Sequence, residues 1–328
     1  MNTGKINSLL ADGQHGDILA KYEEIYRSAD VWLYKKSHGV HSVIYSLIKD
    51  ELPGRSLLDV GCGAGRLAIM GAHVAAEAVG FDFSETAVAI AELNARSAGR
   101  AVRFEVADID GFCAQADRTY DVVTLVGVLE HVPDPLATLR DLHRLLSPGG
   151  LLVVSCPNFI NPRGFSYMTV FTLLHLPMSL ADLRQIDVMD MEAWCAATGF
   201  ALEAVVGAIY RFGWDQKAAE DMIKRMPLAI RDAKLDLAVD YEAFNAWQRK
   251  MVRPNQQFLA WLEAQGALKR IQRGVEFQLQ RPEGVDDALW EQMRQYMAED
   301  IESDPFYSDV APFSAMGGEG IYLLRKPA

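Results

Sequence analysis

The 328 residues suffice for one large core, or for one domain with a sizeable insertion. Half are hydrophobic and 23% are charged, the balance of an ordinary globular protein. The formal net charge of −12 argues against a broad basic surface for gripping nucleic acid, though not against a local basic patch, and no nucleic-acid partner is expected. Cys62, Cys113, Cys156 and Cys195 contain no C-x-x-C pair, which leaves no zinc ribbon or redox dithiol and reads as single buried thiols in a reducing cytoplasm. Met1 to Gln14 lacks a charged-then-apolar leader. The most apolar stretch, Phe165 to Leu180, contains His175 and falls short of the ~20 residues a membrane span needs. A cytoplasmic protein without a membrane span is expected.

Residues 1–50 read as helical, from Leu19, Tyr22, Ile25 and Tyr26 and again from Val40, Val43, Ile44 and Leu47. Pro53-Gly54 ends that pattern, and a strand over Ser56–Val60 runs into glycines. Ala76–Phe83 is a second strand; Ser84 caps a helix to about Ser97, with Gly99 beyond it. Val102–Val106 and Asp121–Val126 are further strands. Asp134 and Pro135 open a helix whose buried stripe is Leu136, Leu139, Leu142 and Leu146, stopped by Ser147-Pro148-Gly149-Gly150. Leu151–Ser155 is the fifth strand. Such alternation predicts a doubly wound, mostly parallel α/β sheet with helices on both faces. A helix over Asp187–Thr198 and a strand over Leu202–Ile209 follow.

The next hundred residues differ in character. Tyr241, Phe244, Trp247 and Met251 form one helical stripe, and Phe258, Trp261 and Leu262 form a second beyond Pro254. Leu289, Met293, Met297 and Ile301 form a third. Val275, Phe277 and Leu279 alternate like a strand, and Gly320–Leu324 closes the sheet. The expected division is N-terminal helices over 1–50, a main domain over 51–209 and 317–328, and a mainly helical insertion over 210–316, set over the carboxyl edge as a substrate lid.

The informative segment is Leu57-Leu58-Asp59-Val60-Gly61-Cys62-Gly63-Ala64-Gly65. Glycines after a strand permit positive φ and close ligand approach, and the next helix adds free N–H groups. The G-x-G-x-G spacing departs from the G-x-G-x-x-G dinucleotide fingerprint. Asp59 would repel a pyrophosphate but suits the ammonium of a methionine moiety. These two features disfavour a nicotinamide-dependent oxidoreductase. Asp82, in Gly80-Phe81-Asp82-Phe83-Ser84, lies at a strand tip suited to ribose hydroxyls. Asp108 could accept from an adenine amino group, with Phe83 and Ile109 flanking the ring.

Together with Val128-Leu129-Glu130-His131-Val132-Pro133-Asp134-Pro135 and Leu145-Leu146-Ser147-Pro148-Gly149-Gly150, these segments resemble class I S-adenosylmethionine (SAM)-dependent methyltransferases. The nearest branch is the one with the ubiquinone-biosynthesis O-methyltransferases. The match is close over residues 56–157, weaker to Ile209, and returns at Ile321–Pro327. The resemblance implies a seven-stranded Rossmann-like sheet and S-adenosyl-L-methionine as cofactor. It places the methionine end against Asp59 and Gly61, Cys62, Gly63 and Gly65, the ribose on Asp82, the adenine amine on Asp108, and Val126 beside the methionine part.

For chemistry, His131 is the candidate base, with Glu130 beside it. The related branch carries another acid three residues before the Glu, and the acids with the His can hold a divalent ion. Gly127 stands there in this chain, so no metal is expected. Asn158 and Arg163 are candidate contacts for a substrate carboxylate, phosphate or hydroxyl. Tyr167–Met178 is a candidate pocket wall. Trp32, Tyr34, His38 and His41 are candidates to close over the cofactor. The expected reaction is methyl transfer to a small-molecule acceptor, at a hydroxyl oxygen. N- or C-methylation on the same scaffold and a non-catalytic SAM-binding module are the alternatives.

Overall fold

The computed structural model describes residues 39–175, 184–234, 236–271, 275–298 and 306–328. The expected helix through Leu19–Tyr26, with Trp32, Tyr34, His38 and Ile301, lies outside them, as does the end of the Tyr167–Met178 run. In chain order the elements are α1 (Val40–Ile48), β1 (Ser56–Val60), α2 (Arg66–Gly71), β2 (Glu77–Asp82), α3 (Glu85–Ser97), β3 (Arg103–Val106) and α4 (Ile109–Gln115). There follow β4 (Tyr120–Val126), α5 (Pro135–Leu145), β5 (Leu146–Pro157), α6 (Pro162–Leu174), α7 (Val188–Thr198) and β6 (Ala201–Ala208). The remainder is α8 (Tyr210–Trp214), α9 (Gln216–Asp232), α10 (Tyr241–Ala264), β7 (Lys269–Arg270), α11 (Asp287–Met297), β8 (Phe306–Ser308) and β9 (Glu319–Arg325).

The strands form one sheet in the order β3-β2-β1-β4-β5-β9-β6-β8-β7. The first five are parallel, and every pairing from β5 onward is antiparallel. The expected seven-stranded, mostly parallel sheet is thus corrected to nine strands in a mixed sheet. The added pair, β7 and β8, comes from the segment between β6 and β9 and extends the β6 edge. β6 and β9 are neighbours although more than a hundred residues of chain lie between them.

Two cores cover the faces. Leu58, Val60, Phe81, Val123 and Val154 pack with Phe112 of α4, Leu139 and Leu142 of α5, and Met191 and Cys195 of α7. On the other face Leu57, Val122, Val153 and Ile321 meet Val43, Ile44 and Ile48 of α1 and Leu67 and Met70 of α2. The helix starts are set by local chemistry. Ser84 accepts from Ala87 N at 3.1 Å, and Asp134, followed by Pro135, accepts from Ala137 N at 3.0 Å. Asp187 and Asp190 form a reciprocal cap on α7. Near the C-terminus the Lys326 ammonium donates to His143 O and Leu146 O, closing the end of α5.

Two further expectations fail. Val275, Phe277 and Leu279 form no strand. Val275 is buried in the α1–α2 core, with Phe277 packed against it, and Phe277 and Leu279 pack against the cluster holding Ile90 and Ala95 of α3. Alternation here buries one side of an extended segment on helices instead of on a sheet. Nor does Pro254 break the helix: α10 runs through it. Pro254 and Lys250, four residues earlier, are both exposed. Water can therefore satisfy the carbonyl that the missing N–H leaves open.

Candidate functional site

Because β1 to β5 are parallel, their carboxyl ends share one edge of the sheet, and loops gather there. After β1 the chain turns through Gly61, Gly63 and Gly65 at φ 63°, 53° and 81°. A Cβ at Gly61 would stand 2.5 Å from Val128 Cγ2, and one at Gly65 would meet the Phe104 ring at 2.7 Å. Side chains are excluded here both by conformation and by space. Gly65 caps α2, so the free N–H groups of that helix face the turn.

Asp82 ends β2 and is buried. Its Oδ2 accepts from Gly63 N at 2.9 Å and its Oδ1 from Ser84 N at 3.0 Å, so one carboxylate ties the glycine turn to the tip of the next strand. Cys62 is buried within the turn. Phe83 is 37% exposed beside Asp82. Asp108 is exposed, and its Oδ1 accepts from Gly111 N at 2.6 Å, capping α4; Ile109 is half-buried behind it.

Asp59 lies below the turn, buried. Its Oδ1 accepts from Thr124 Oγ1 at 2.7 Å. Burial pushes its carboxyl up to about 7, against the lowering effects of Thr124 and the Ala68 amide and with some help from Asp82. Val126 ends β4, half-buried, in the core that also holds Ile209 and Phe212. Ile209 itself takes φ 57°, an unusual left-handed conformation for a β-branched residue.

Past β4, Leu129–His131 makes one turn of 3₁₀ helix. Glu130 is buried at 3% exposure, and His131 Nε2 stands 3.7 Å from Glu130 Oε1. Gly127 is the near wall of this pair: a Cβ there would lie 3.7 Å from Glu130 Oε1. The chain following His131 is clamped by Arg184, whose guanidinium donates to Val132 O and Pro133 O.

Several of these residues escaped the sequence reading: Thr124, Arg184 and Arg66. The Arg66 guanidinium donates to Tyr296 O and Ala298 O at 3.0 Å each, fixing the end of α11 beside the glycine turn. A cation in the first turn of a helix opposes the helix dipole, and that was the available signal that Arg66 has other work.

Other expected contacts go elsewhere. Arg163 Nε donates to Asp221 Oδ2 at 2.7 Å, and its guanidinium lies 4.3 Å over the Phe212 ring. Asn158 Nδ2 donates to Ala315 O and Gly317 O, tying the loop after β5 to the segment before β9. Both have partners within the protein's own structure. Among the described residues no three His, Cys, Asp or Glu side chains converge as a metal site. No helix among them is long and apolar enough to cross a membrane.

A family model described as a methyltransferase domain matches residues 37–205, just over half of the chain. A ubiquinone biosynthesis O-methyltransferase of Azotobacter vinelandii is 32% identical over 183 residues, covering 54% of this chain and 78% of the relative. A protein of the same name from Pseudomonas aeruginosa is 31% identical over the same shares. Among solved structures, the magnesium protoporphyrin IX methyltransferase of Synechocystis aligns with TM-score 0.44 at 24% identity, covering 61% of this chain and 91% of that one. A possible histamine N-methyltransferase of Thermotoga maritima aligns with TM-score 0.49 at 14% identity, covering 93% and 98%. The glycine turn, the helix N-terminus behind it and the carboxylates at the tips of β1 and β2 suit an adenosyl amino acid carrying an ammonium. The chain belongs to the methyltransferase domain family, and it is an S-adenosyl-L-methionine-dependent methyltransferase.

Proposed function

We propose that the protein methylates a hydroxyl oxygen of a small molecule, with His131 as the base. The observation that carries this is the His131–Glu130 pair, 3.7 Å apart, on the loop after β4 at the same sheet edge as the glycine turn. The O-methyltransferase names of the sequence relatives support it.

In this reading Asp59, Gly61, Cys62, Gly63 and Gly65 hold the methionine end of the cofactor, and Val126 lies beside it. Asp82 takes the ribose and Asp108 the adenine amine, with Phe83 and Ile109 flanking the adenine ring. Bound there, SAM supplies a methyl group on a sulfonium, already joined to an excellent leaving group. The protein's task is then alignment, worth ~7–11 kcal/mol, and acceptance of the hydroxyl proton. His131 Nε2 accepts that proton, and the buried Glu130 carboxylate beside it stabilises the imidazolium. Asp82 keeps the turn in place through Gly63. The described helices of the 210–316 segment would exclude water from above, with Arg66 fixing the end of α11 beside the turn. No divalent ion takes part, because Gly127 offers no oxygen ligand next to Glu130.

The test is transfer of an isotopically labelled methyl group from SAM to a panel of hydroxyl and amine acceptors, with a chelator present. Product on hydroxyl acceptors only, falling ~10²–10⁴-fold in His131→Ala, is expected. Product on amines alone, or a requirement for magnesium, would overturn it.

A further inference from the structure

Gly61, Gly63 and Gly65 have no side chains with which to hold their own turn, so neighbours supply its geometry. On one side Asp82 accepts from Gly63 N. On another, fully buried Asn94 of α3 donates its Nδ2 to Ala64 O at 2.9 Å. The third support comes from far along the chain. Arg66, the first residue of α2, donates to Tyr296 O and Ala298 O at the end of α11, 230 and 232 residues later. In return the Arg66 amide donates to the Tyr296 hydroxyl. Tyr296 and Met297 are buried in one cluster with Ala64 of the turn, Ile69 of α2, and Ile90 and Ala95 of α3.

Burial raises the Tyr296 phenol above its ordinary range; Arg66 opposes this, and Cys62 and Asp59 add to it. The hydroxyl therefore stays neutral, and it stands within electrostatic reach of the residues assigned above to the methionine end. Ala68, two residues beyond Arg66 in α2, gives its amide to the Asp59 carboxylate. A shift at the start of α2 is thus felt at Asp59. The ribose and adenine carboxylates have other anchors: Asp82 accepts from Gly63 N and Ser84 N, and Asp108 from Gly111 N.

We propose that Tyr296 is a positioning residue of the cofactor site: through Arg66 and Ala64 it sets the glycine turn and the start of α2 against the amino-acid end of the cofactor, so that docking of α11 and capture of that end are coupled. A turn of glycines regains freedom when a support is removed, and the ligand must then order it on binding. The coupling is reciprocal, so a ligand that needs the ordered turn also favours the docked α11. This rests on the reading that Asp59 and the turn hold the methionine end, and deepens it.

The experiment titrates two ligands by calorimetry into the full chain at mildly alkaline pH, where Asp59 is ionised. S-adenosylhomocysteine carries the amino-acid end; methylthioadenosine keeps the adenine, ribose and sulfur but lacks that end. Tyr296→Phe keeps the ring in its cluster and removes only the hydroxyl. It is expected to weaken S-adenosylhomocysteine about fivefold and methylthioadenosine less than about twofold. Arg66→Lys keeps the cation but cannot bridge two carbonyls, and the same split is expected. A role in packing alone would lower the urea midpoint of Tyr296→Phe and leave the ratio of the two affinities unchanged. Asp59→Asn probes the underlying reading and is expected to weaken S-adenosylhomocysteine about tenfold or more while sparing methylthioadenosine. An unchanged ratio in Tyr296→Phe beside the expected split in Asp59→Asn would overturn the proposal alone. An unchanged ratio in Asp59→Asn would overturn the methionine-end reading, and the proposal with it.

Discussion

Thr124 donates its hydroxyl to the Asp59 carboxylate across the two central strands at 2.7 Å, at a point where burial holds that carboxyl up at about 7. Below that pH the free protein keeps Asp59 protonated, and capture of a ligand ammonium must expel the proton. Affinity for SAM is therefore expected to rise with pH from 5 to 7, by up to about tenfold per unit, and then to level off. The stability of the ligand-free protein runs the other way. Its folded-state carboxyl binds protons above the reference value of 3.8, so stability falls as pH rises from about 4 to about 7. Calorimetric titrations at several pH values check the first trend and urea melts the second. Asp59→Asn should flatten both, and a pH-independent wild-type affinity would contradict the assignment.

Arg184 should act through position. Its guanidinium bridges the carbonyls of Val132 and Pro133, directly after His131. Arg184→Ala is expected to lower turnover about tenfold by loosening the base, while SAM affinity stays unchanged. Lys should restore only part, since a point donor does not bridge two carbonyls as the planar fork does. Steady-state rates with a hydroxyl acceptor, set beside calorimetry, separate this from general unfolding.

α9 is anchored to α6 by a compact charge network of Asp221, Arg163 and Arg225. Burial pushes Asp221 up, but Arg163 and Arg225 outweigh this and hold its carboxyl below the usual range. Asp221→Ala leaves the buried Arg163 without its counter-charge and is expected to cost ~3–5 kcal/mol in urea unfolding. Arg163→Met leaves Asp221 with Arg225 at 3.2 Å and should cost less. Equal losses would contradict this division of roles.

Much of this was readable from the chain because it is local. The glycine spacing, the caps at Ser84, Asp134 and Asp187, and the apolar strand runs each express their structure within a few residues. The nine-stranded sheet was not readable, because β7 is two residues long and carries no period. The alternation at Val275–Leu279 was misread, since an extended segment lying on helices shows the same pattern as an edge strand. Arg163 drew attention as an anion site, yet its partner Asp221 lies 58 residues away, a distance no periodicity spans.

In the proposed reading the Gly61–Gly65 turn and Asp82 hold SAM. Asp82 bonds the turn through Gly63 and stands at the strand tip where ribose hydroxyls would lie. Its removal withdraws charge-assisted hydrogen bonds from the ligand. The most direct measurement is calorimetric titration of SAM into the wild-type chain and into folded Asp82→Ala, with NAD as control. SAM should bind the wild type and NAD should not, and Asp82→Ala should weaken SAM by ~1–3 kcal/mol. Unchanged SAM affinity in a folded Asp82→Ala protein, or binding of NAD in place of SAM, would contradict it.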